Sequence, residues 1–218
     1  MSTCKAKAES SIAFDFDGTI VDCSKRQIAA AERALLEVYE TPCKLPRFWE
    51  AKRTGATTLG ALIISGIHPD VAKNVDAVWR SIIESDTLLA IDRPFPRIIS
   101  TLSRLKEQGT QLYLLSARKR PEALLNQLET LNLANQFVEI SVVDPQLVIQ
   151  EKSQKLLSWK PDLYVGDSET DAEAAELSDT RFASVSSGQR SEQYLTAHGI
   201  NKVYPDAIAA LRDLGMMW

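Results

Sequence analysis

The sequence predicts an α/β protein, with a doubly wound parallel sheet interrupted by an all-helical insertion. From residue 97 onward, short apolar runs alternate with segments of helical period, which is typical of a parallel sheet covered by helices on both faces. A strand-like run at 11–16 precedes this region, and the next such run begins only at 111. The residues between these two runs carry helical patterns alone, so they are expected to form an insertion.

The predicted domain organisation follows from that interruption. We expect residues 1–20 and 96–218 to form one α/β core and residues 21–95 to form a helical domain inserted into it. The chain has 218 residues, enough to bury a core without disulfides or a structural metal.

The first half of the chain is predicted from composition and from helix breakers. SIAFDF at 11–16 indicates a short buried strand, which ends at a Gly18-Thr19 break. Residues 27–39 are rich in Ala, Leu and Glu and predict a helix with Ser24 as its N-cap. The remaining helices of the insertion are predicted at 46–53, 57–65 and 69–89, with proline-bearing breaks at 41–46 and 92–96.

The second half of the chain has clear start and stop signals. The helix at 97–108 is closed by Gly109 in a C-cap position, and the helix at 121–131 begins with a proline in its first turn. The other strands are predicted at 111–115, 137–143, 163–165, 182–185 and 202–204, and the other helices at 149–158, 170–177, 191–198 and 206–214.

Composition and charge exclude several classes of protein. The net charge of −4 and the pI of about 5.3 argue against nucleic acid or anionic lipid as the main partner. The apolar stretch at 57–67 is too short and too polar to span a membrane, and the N-terminus does not resemble a signal peptide. Cys4, Cys23 and Cys43 lack metal-ligand spacing, which favours a reduced cytoplasmic compartment and no zinc site.

Polar residues follow three of the predicted strands, where parallel strands present their functional groups. The first strand ends with Asp15-Phe16 and is followed by Asp17, the second is followed by Ser116-Ala117-Arg118, and the strand at 163–165 by GDSETD at 166–171. Lys152 stands near the start of a predicted helix between the second group and the third. We therefore expect several carboxylates, a hydroxyl and a lysine to meet at one edge of the sheet.

This set of residues suits phosphoryl transfer. Carboxylates crowded into one small site repel each other, and a hard divalent cation such as Mg²⁺ relieves that repulsion. The resulting site attracts a dianionic phosphate, which one carboxylate attacks as nucleophile while a second acts as general acid and then base. A hydroxyl and a lysine would stabilise the charge on the transferring group.

Four sequence motifs resemble those of the haloacid dehalogenase superfamily. They are DFDGTI at 15–20, the apolar strand that ends in Ser116, Lys152, and YVGDSETD at 164–171, in the expected order. The stretch SVSSGQRSEQYL at 184–195 is also similar to phosphoglycolate phosphatase-like members. The resemblance implies the superfamily's α/β Rossmann-like core, with 21–95 as a helical cap placed after the first motif.

The resemblance also implies roles for individual residues. Asp15 would be the nucleophile, and Asp17 the general acid and base, with its backbone carbonyl binding Mg²⁺. Asp15 and Asp167 would be side-chain ligands of the metal, and Asp171 would complete the site directly or through water. The residues expected to bind phosphate or substrate are Ser116, Ala117, Arg118, Lys152 and the cap residue Arg53. The substrate would be a small phosphorylated metabolite, acted on by a monomer or homodimer.

Several alternatives remain open at this stage. Lys155 competes with Lys152 as the motif lysine, and Arg118 either contacts substrate or pairs with an acid. A phosphomutase, a signalling receiver domain and a catalytically idle member are alternative functions. A phosphonate-cleaving relative is another, because that chemistry uses a cap lysine for a Schiff base, and Lys44 and Lys52 are available. The second aspartate of DFDGTI argues against dehalogenation.

Overall fold

The computed structural model describes residues 10–217 and has a central parallel sheet of six strands. The order is β5-β4-β1-β6-β7-β8, with β1 in the middle. A separate two-stranded ribbon is formed by β2 and β3. The strands are β1 (Ser11–Phe14), β2 (Val21–Asp22), β3 (Arg93–Pro94), β4 (Gln111–Ala117), β5 (Glu139–Val143), β6 (Leu163–Gly166), β7 (Phe182–Val185) and β8 (Val203–Tyr204).

Helices fill the connections between the strands. Of the α-helices within residues 10–217, five form the insertion and six accompany the sheet. They are α1 (Ser24–Tyr39), α2 (Phe48–Arg53), α3 (Thr58–Ile64), α4 (Pro69–Ile82), α5 (Asp86–Leu89), α6 (Ile98–Glu107), α7 (Pro121–Thr130), α8 (Val148–Trp159), α9 (Glu169–Leu177), α10 (Glu192–Ala197) and α11 (Ala207–Asp213).

Both faces of the sheet are covered, as predicted. Ile12 and Phe14 of β1 point into an apolar cluster with residues of α6, α7 and α11, whereas Ala13 points to the opposite face, toward α8 and α9. In β1, Ile12 pairs with Leu112 of β4 and with Leu163 of β6. The carboxyl ends of these three strands therefore lie side by side.

The helical insertion has a core of its own. Buried residues of α1 to α4, such as Leu35, Phe48, Leu62 and Val75, form an apolar cluster separate from the clusters of the sheet. The insertion is joined to the sheet by β2 and β3, which pair antiparallel through Val21 with Pro94 and Asp22 with Arg93. Its entry and exit chains therefore run next to each other.

Two details of the predicted insertion are wrong. Ser24 does not cap α1: the N-cap is Cys23, and the Asp22 carboxylate accepts the Ser24 backbone N–H at 2.9 Å. The predicted helix at 69–89 is divided into α4 and α5, because Ser85 is extended and begins the second helix. The break predicted at 92–96 contains β3, since two residues there pair with β2.

Two further sequence-based expectations concern membranes and cysteines. None of the helices described between residues 10 and 217 is long and apolar enough to cross a membrane. Cys23 is a buried free thiol and Cys43 an exposed one. Cys4 lies outside the described residues.

The central strands should dominate the stability of this fold. Leu114 in β4 is fully buried, whereas Leu177 at the end of α9 is 63% exposed. Leu114→Ala is expected to lower the free energy of unfolding by about 2–5 kcal/mol, because it leaves a cavity in the core. Leu177→Ala, the matched control, should change it by less than about 0.5 kcal/mol. Urea titration checks both values, and equal losses would contradict the assigned core.

Candidate active site

The turn after β1 carries two aspartates toward different partners. The Asp15 backbone N–H donates to the Val165 carbonyl of β6 at 2.8 Å, so the extended chain continues just past the strand. The chain then turns at Gly18, whose φ is +83°. A Cβ at Gly18 would overlap the carboxylate of Asp167 and the backbone of Gly188, so both its conformation and its surroundings require glycine.

Three buried carboxylates meet beside this turn. One oxygen each from Asp15, Asp167 and Asp171 lies within 4.8 Å of the other two. Asp171 is held by the first turn of α9, where the Ser168 hydroxyl donates to it at 2.6 Å and forms a capping box with it. The buried Tyr164 hydroxyl also donates to Asp171, at 2.5 Å. The orientation of Asp171 is thus fixed by its own helix and by β6.

Lys152 is the cation within this cluster. Its Nζ lies 2.7 Å from Asp15 Oδ1, 2.6 Å from Asp171 Oδ1 and 3.1 Å from the Tyr164 hydroxyl. Burial opposes protonation of Lys152, but the charges of Asp15 and Asp171 outweigh burial and raise its pKa. Its competitor Lys155 is on the surface and pairs with Glu139 at 3.3 Å. The structure therefore places Lys152, and not Lys155, in the site.

One lysine does not neutralise three buried carboxylates. Burial raises the pKa of Asp15 to about 7, with a smaller contribution from the charge of Asp171, despite the attraction of Lys152. Burial and the charges of Asp15 and Asp171 raise the pKa of Asp167 well above its usual value. A divalent cation with a preference for oxygen would remove this excess negative charge. The residues present therefore fit a metal such as Mg²⁺.

Asp17 is held away from the carboxylate cluster by two arginines. Arg118 donates to both of its oxygens, from Nε at 2.7 Å and from Nη2 at 2.8 Å, and Arg26 of α1 donates to Oδ1 as well. Burial opposes ionisation of Asp17, but the charges of Arg118 and Arg26 outweigh burial and lower its pKa. The sequence left open whether Arg118 contacts substrate or pairs with an acid, and in the structure it pairs with Asp17.

Arg26 connects this pair to the linkers of the insertion. Its Nε donates to both oxygens of the buried Asp92, at 3.0 and 2.9 Å, and the Gln127 amide donates to Asp92 at 2.9 Å. Asp92 immediately precedes β3, and Gln127 belongs to α7. Arg26 thus bridges Asp17 to the chain that leaves the insertion.

The remaining predicted substrate residues divide into two groups. Ser116 and Ala117, at the end of β4, line the same cavity as Asp15 and Asp17. Arg53 is not among the described residues that line it, because its guanidinium donates to the carbonyls of Gly188 at 2.6 Å and Ser186 at 3.0 Å. In this structure Arg53 thus joins the insertion to the core.

The sequence of the chain is similar to those of known proteins. A model of the haloacid dehalogenase-like hydrolase family matches residues 12–185. The chain belongs to this family. It is 26% identical over 216 residues to a phosphoglycolate phosphatase of Pseudomonas putida, covering 92% of this chain and 78% of that protein. It is 28% identical over 183 residues to a phosphoglycolate phosphatase of Aquifex aeolicus, covering 79% and 82% respectively.

Solved structures show the same fold. A haloacid dehalogenase-like hydrolase from Streptococcus pneumoniae aligns with a TM-score of 0.72 at 18% identity, covering 94% of this chain and 98% of that one. A structure described as a predicted phosphoglycolate phosphatase from Haemophilus somnus aligns with a TM-score of 0.70 at 18% identity, covering 96% and 99%. The family and the curated relatives together support an enzyme of the phosphatase class.

A cavity of about 500 Å³ lies between the carboxylate cluster and the insertion. The core contributes Asp15, Asp17 and Lys152 to its lining, and the insertion contributes Lys52 of α2 and Trp79 of α4. Volumes of this size are usual for sites that bind small molecules. The insertion therefore covers the edge of the sheet at which the buried carboxylates lie.

Sequence reasoning missed several residues of the site. Arg26, Tyr164, Arg190 and Glu169 were not singled out, although Tyr164 and Glu169 lie inside the motif YVGDSETD. Arg190 donates to both oxygens of Glu169, from Nε at 2.7 Å and from Nη2 at 2.8 Å. The signal for Arg190 was the similarity of SVSSGQRSEQYL to known members, and no local pattern pointed to Arg26.

Lys52 should make the stability of the protein depend on pH. Burial and the positive charge of Arg190 lower the pKa of Lys52 from 10.5 to about 8. Unfolding restores the ordinary pKa, so between about pH 8 and 10.5 the unfolded chain binds more protons than the folded chain. The contribution of Lys52 to the free energy of unfolding therefore rises with pH through this window. Below about pH 8 the folded chain bears the full cost of the buried charge.

We expect Lys52→Met to be more stable than the wild type at pH 7 by ~1–3 kcal/mol, because it removes a buried charge. This advantage should shrink between pH 8 and 10.5. The control is Lys73→Met, at a lysine of α4 that is mostly exposed, which should change stability by less than about 0.5 kcal/mol. Urea titrations at pH 7 and 9.5 measure both differences, and a Lys52→Met effect independent of pH would refute the assignment.

Proposed function

We propose that this protein is a Mg²⁺-dependent phosphatase that hydrolyses a small phosphorylated metabolite through an aspartyl phosphate on Asp15. The supporting observation is the meeting of Asp15, Lys152, Asp167 and Asp171 in one buried cluster that opens to a cavity also lined by Asp17. Because the curated relatives carry the name phosphoglycolate phosphatase, 2-phosphoglycolate is the first substrate to test.

Four residues would hold the metal. These are the carboxylates of Asp15, Asp167 and Asp171 and the backbone carbonyl of Asp17. When bound, Mg²⁺ supplies positive charge to the transferring phosphoryl group. The compact arrangement of three buried carboxylates around a single lysine supports this assignment.

In the first step, an oxygen of Asp15 attacks phosphorus, and the bond from phosphorus to the leaving oxygen breaks. A proton from Asp17 neutralises the leaving alcohol. In the second step, water attacks phosphorus, Asp17 takes the water proton, and the bond between phosphorus and Asp15 breaks to release phosphate. Arg118 and Arg26 favour ionised Asp17, so they support its role as base and oppose its role as acid.

The phosphoryl oxygens would be held by Lys152 and by Ser116. Ala117, the last residue of β4, would line the site next to Ser116. Lys152 contributes a charge that is already oriented by Asp15 and Asp171, so little reorganisation accompanies the reaction. Residues 21–95 would act as a cap that excludes water when it covers the cavity. Within this proposal the enzyme acts in the cytoplasm as a monomer or homodimer, with the metabolite as its partner.

The proposal is tested by phosphate release from 2-phosphoglycolate and from an aryl phosphate. Asp15→Asn is expected to lose ~10³-fold or more in kcat, because it removes the nucleophile. Chelation of Mg²⁺ should abolish turnover, and added Mg²⁺ should restore it. Lys152→Met should lose nearly all activity, whereas Lys155→Met, one turn away on the exposed face of α8, should keep it. Full activity of Asp15→Asn would disprove the mechanism.

A second candidate function is phosphonate cleavage through a Schiff base. Lys44 is exposed and pairs with Glu32 at 2.8 Å, so it does not serve this chemistry, whereas Lys52 is buried and lines the cavity with a lowered pKa. Incubation with phosphonoacetaldehyde and borohydride tests it by mass spectrometry. A reduced adduct on Lys52, absent in Lys52→Met, would favour phosphonate cleavage, and the phosphatase proposal expects none.

A further inference from the structure

Five polar side chains that include Asp17 form a closed ring of hydrogen bonds. Arg118 binds Asp17 and also donates from Nη2 to Gln127 Oε1 at 3.3 Å. Gln127 Nε2 donates to Asp92 Oδ2 at 2.9 Å, and both Asp92 oxygens accept from Arg26 Nε, at 3.0 and 2.9 Å. Arg26 closes the ring, because its Nη2 donates to Asp17 Oδ1. The ring contains two carboxylates, two guanidinium groups and one amide, so its charges balance.

The members of the ring come from both parts of the chain. Asp17, Arg118 and Gln127 belong to the core, on the turn after β1, after the end of β4 and on α7. Arg26 of α1 and Asp92, just before β3, belong to the insertion. Of the described residues, the cavity lining includes Asp17, Arg26 and Arg118 but neither Asp92 nor Gln127. Gln127 and Asp92 therefore reach the site through the two arginines.

Gln127 is the neutral member of the ring and lies on an otherwise apolar face of its helix. It is 6% exposed. The other buried residues of α7 are Ala123, Leu124 and Leu128. Nε2 of Gln127 donates to the Leu89 carbonyl at 3.2 Å as well as to Asp92, and its Oε1 accepts from Arg118. Burial of an amide costs free energy unless its polar atoms are paired, and here the ring and Leu89 pair them.

An amide suits both neighbours of Gln127 in the ring. The guanidinium of Arg118 can only donate hydrogen bonds, and the ionised carboxylate of Asp92 can only accept them. A methionine in place of Gln127 would offer a partner to neither group, and a glutamate would put a second carboxylate against Asp92. The amide thus fixes two groups at once: Arg118, which binds Asp17 directly, and Asp92, which orients Arg26.

We propose that Gln127 is a positioning residue for Asp17, acting on one side through Arg118 and on the other through Asp92 and Arg26. It keeps the Asp17 carboxylate in the orientation that proton transfer requires. The proposal rests on the proposed function, in which Asp17 is the general acid and base. Because Arg26 and Asp92 come from the insertion, the ring is complete only when α1 and the chain before β3 are both docked on the core.

The two chemical steps can be measured separately with p-nitrophenyl phosphate. Nitrophenolate leaves without a proton, so the first step does not need Asp17, whereas the attack of water in the second step does. In a single turnover with enzyme in excess, Gln127→Met should release nitrophenolate within about twofold of the wild-type rate. It should release phosphate about 10- to 100-fold more slowly than the wild type. In the steady state kcat should fall and KM should not rise.

Two further variants separate positioning from packing. Leu128→Ala removes a buried side chain from the same face of α7 but no member of the ring, so it should keep the wild-type rate of phosphate release. Gln127→Glu should be as slow as Gln127→Met. Adding Asp92→Asn to Gln127→Glu exchanges the amide and the carboxylate within the ring, and should make phosphate release about 3- to 10-fold faster than in Gln127→Glu alone. An equal defect in Leu128→Ala, or no recovery in the combined variant, would overturn the proposal.

A spectroscopic measurement makes the test independent of turnover. In protein labelled with ¹⁵N-arginine, the Nε–H groups of Arg26 and Arg118 report on the ring, because each is buried and donates to a carboxylate. Gln127→Met should move both signals, whereas Leu128→Ala should leave them in place. Unmoved signals in Gln127→Met would overturn the positioning role.

These outcomes are distinguishable from failure of the proposed function. If p-nitrophenyl phosphate is not hydrolysed, or if Asp15→Asn keeps full activity, the phosphatase mechanism fails, and the arginine signals still decide whether Gln127 orients the groups around Asp17. If hydrolysis depends on Asp15 while Gln127→Met behaves as the wild type, the mechanism stands and the positioning role of Gln127 fails.

Discussion

The site depends on the balance of charge around Lys152. Three carboxylates from two neighbouring strand ends and one helix are buried within a few ångströms of each other, and this single ammonium group is the cation among them. Hydrogen-bond donors reduce the free-energy cost of burying such a cluster. Ser168 and the Tyr164 hydroxyl supply donors to Asp171, and the backbone N–H of Gln189 supplies one to Asp167. The central strands therefore serve as the rigid support of an electrostatically costly site.

A second charge network joins the turn after β1 to the insertion. Arg26 contacts Asp17 on the turn after β1 and Asp92 at the exit of the insertion, so the orientation of the Asp17 carboxylate and the position of a linker depend on the same guanidinium. Arg190 likewise joins the core to the insertion, because it binds both Glu169 at the start of α9 and the carbonyl of Lys52. Two buried arginines, Arg26 and Arg190, thus connect the insertion to the core. These contacts hold the charged side chain of Lys52 in the cavity lining, and burial of that charge lowers the free energy of unfolding.

The sequence predicts those site residues whose positions depend on the strand or helix that directly contains or precedes them. Asp15 and Asp167 directly follow buried strands, and Lys152 lies near the start of α8, so their convergence followed from the parallel sheet. Arg26 and Lys52 differ, because their environments are created by docking of the insertion onto the core. The contact between Arg190 and Lys52 joins residues 138 positions apart, and no periodicity encodes it. Ser24 and the divided helix after Pro69 show that capping and tertiary contacts also decide where helices begin and end.

The two-stranded ribbon of β2 and β3 has a consequence for how such a protein diversifies. Because the chain leaves and re-enters the core on adjacent strands, the ends of the insertion are already closed by Val21, Asp22, Arg93 and Pro94. If the insertion were replaced by a segment of different length, the entropy cost of closing the loop would change only slowly with that length. The register of β1 with β4 and β6 would stay the same. The segment between β2 and β3 can thus change in length while the sheet is kept, provided that the replacement again supplies a partner for Asp17 in the place of Arg26 and a partner for that residue in the place of Asp92.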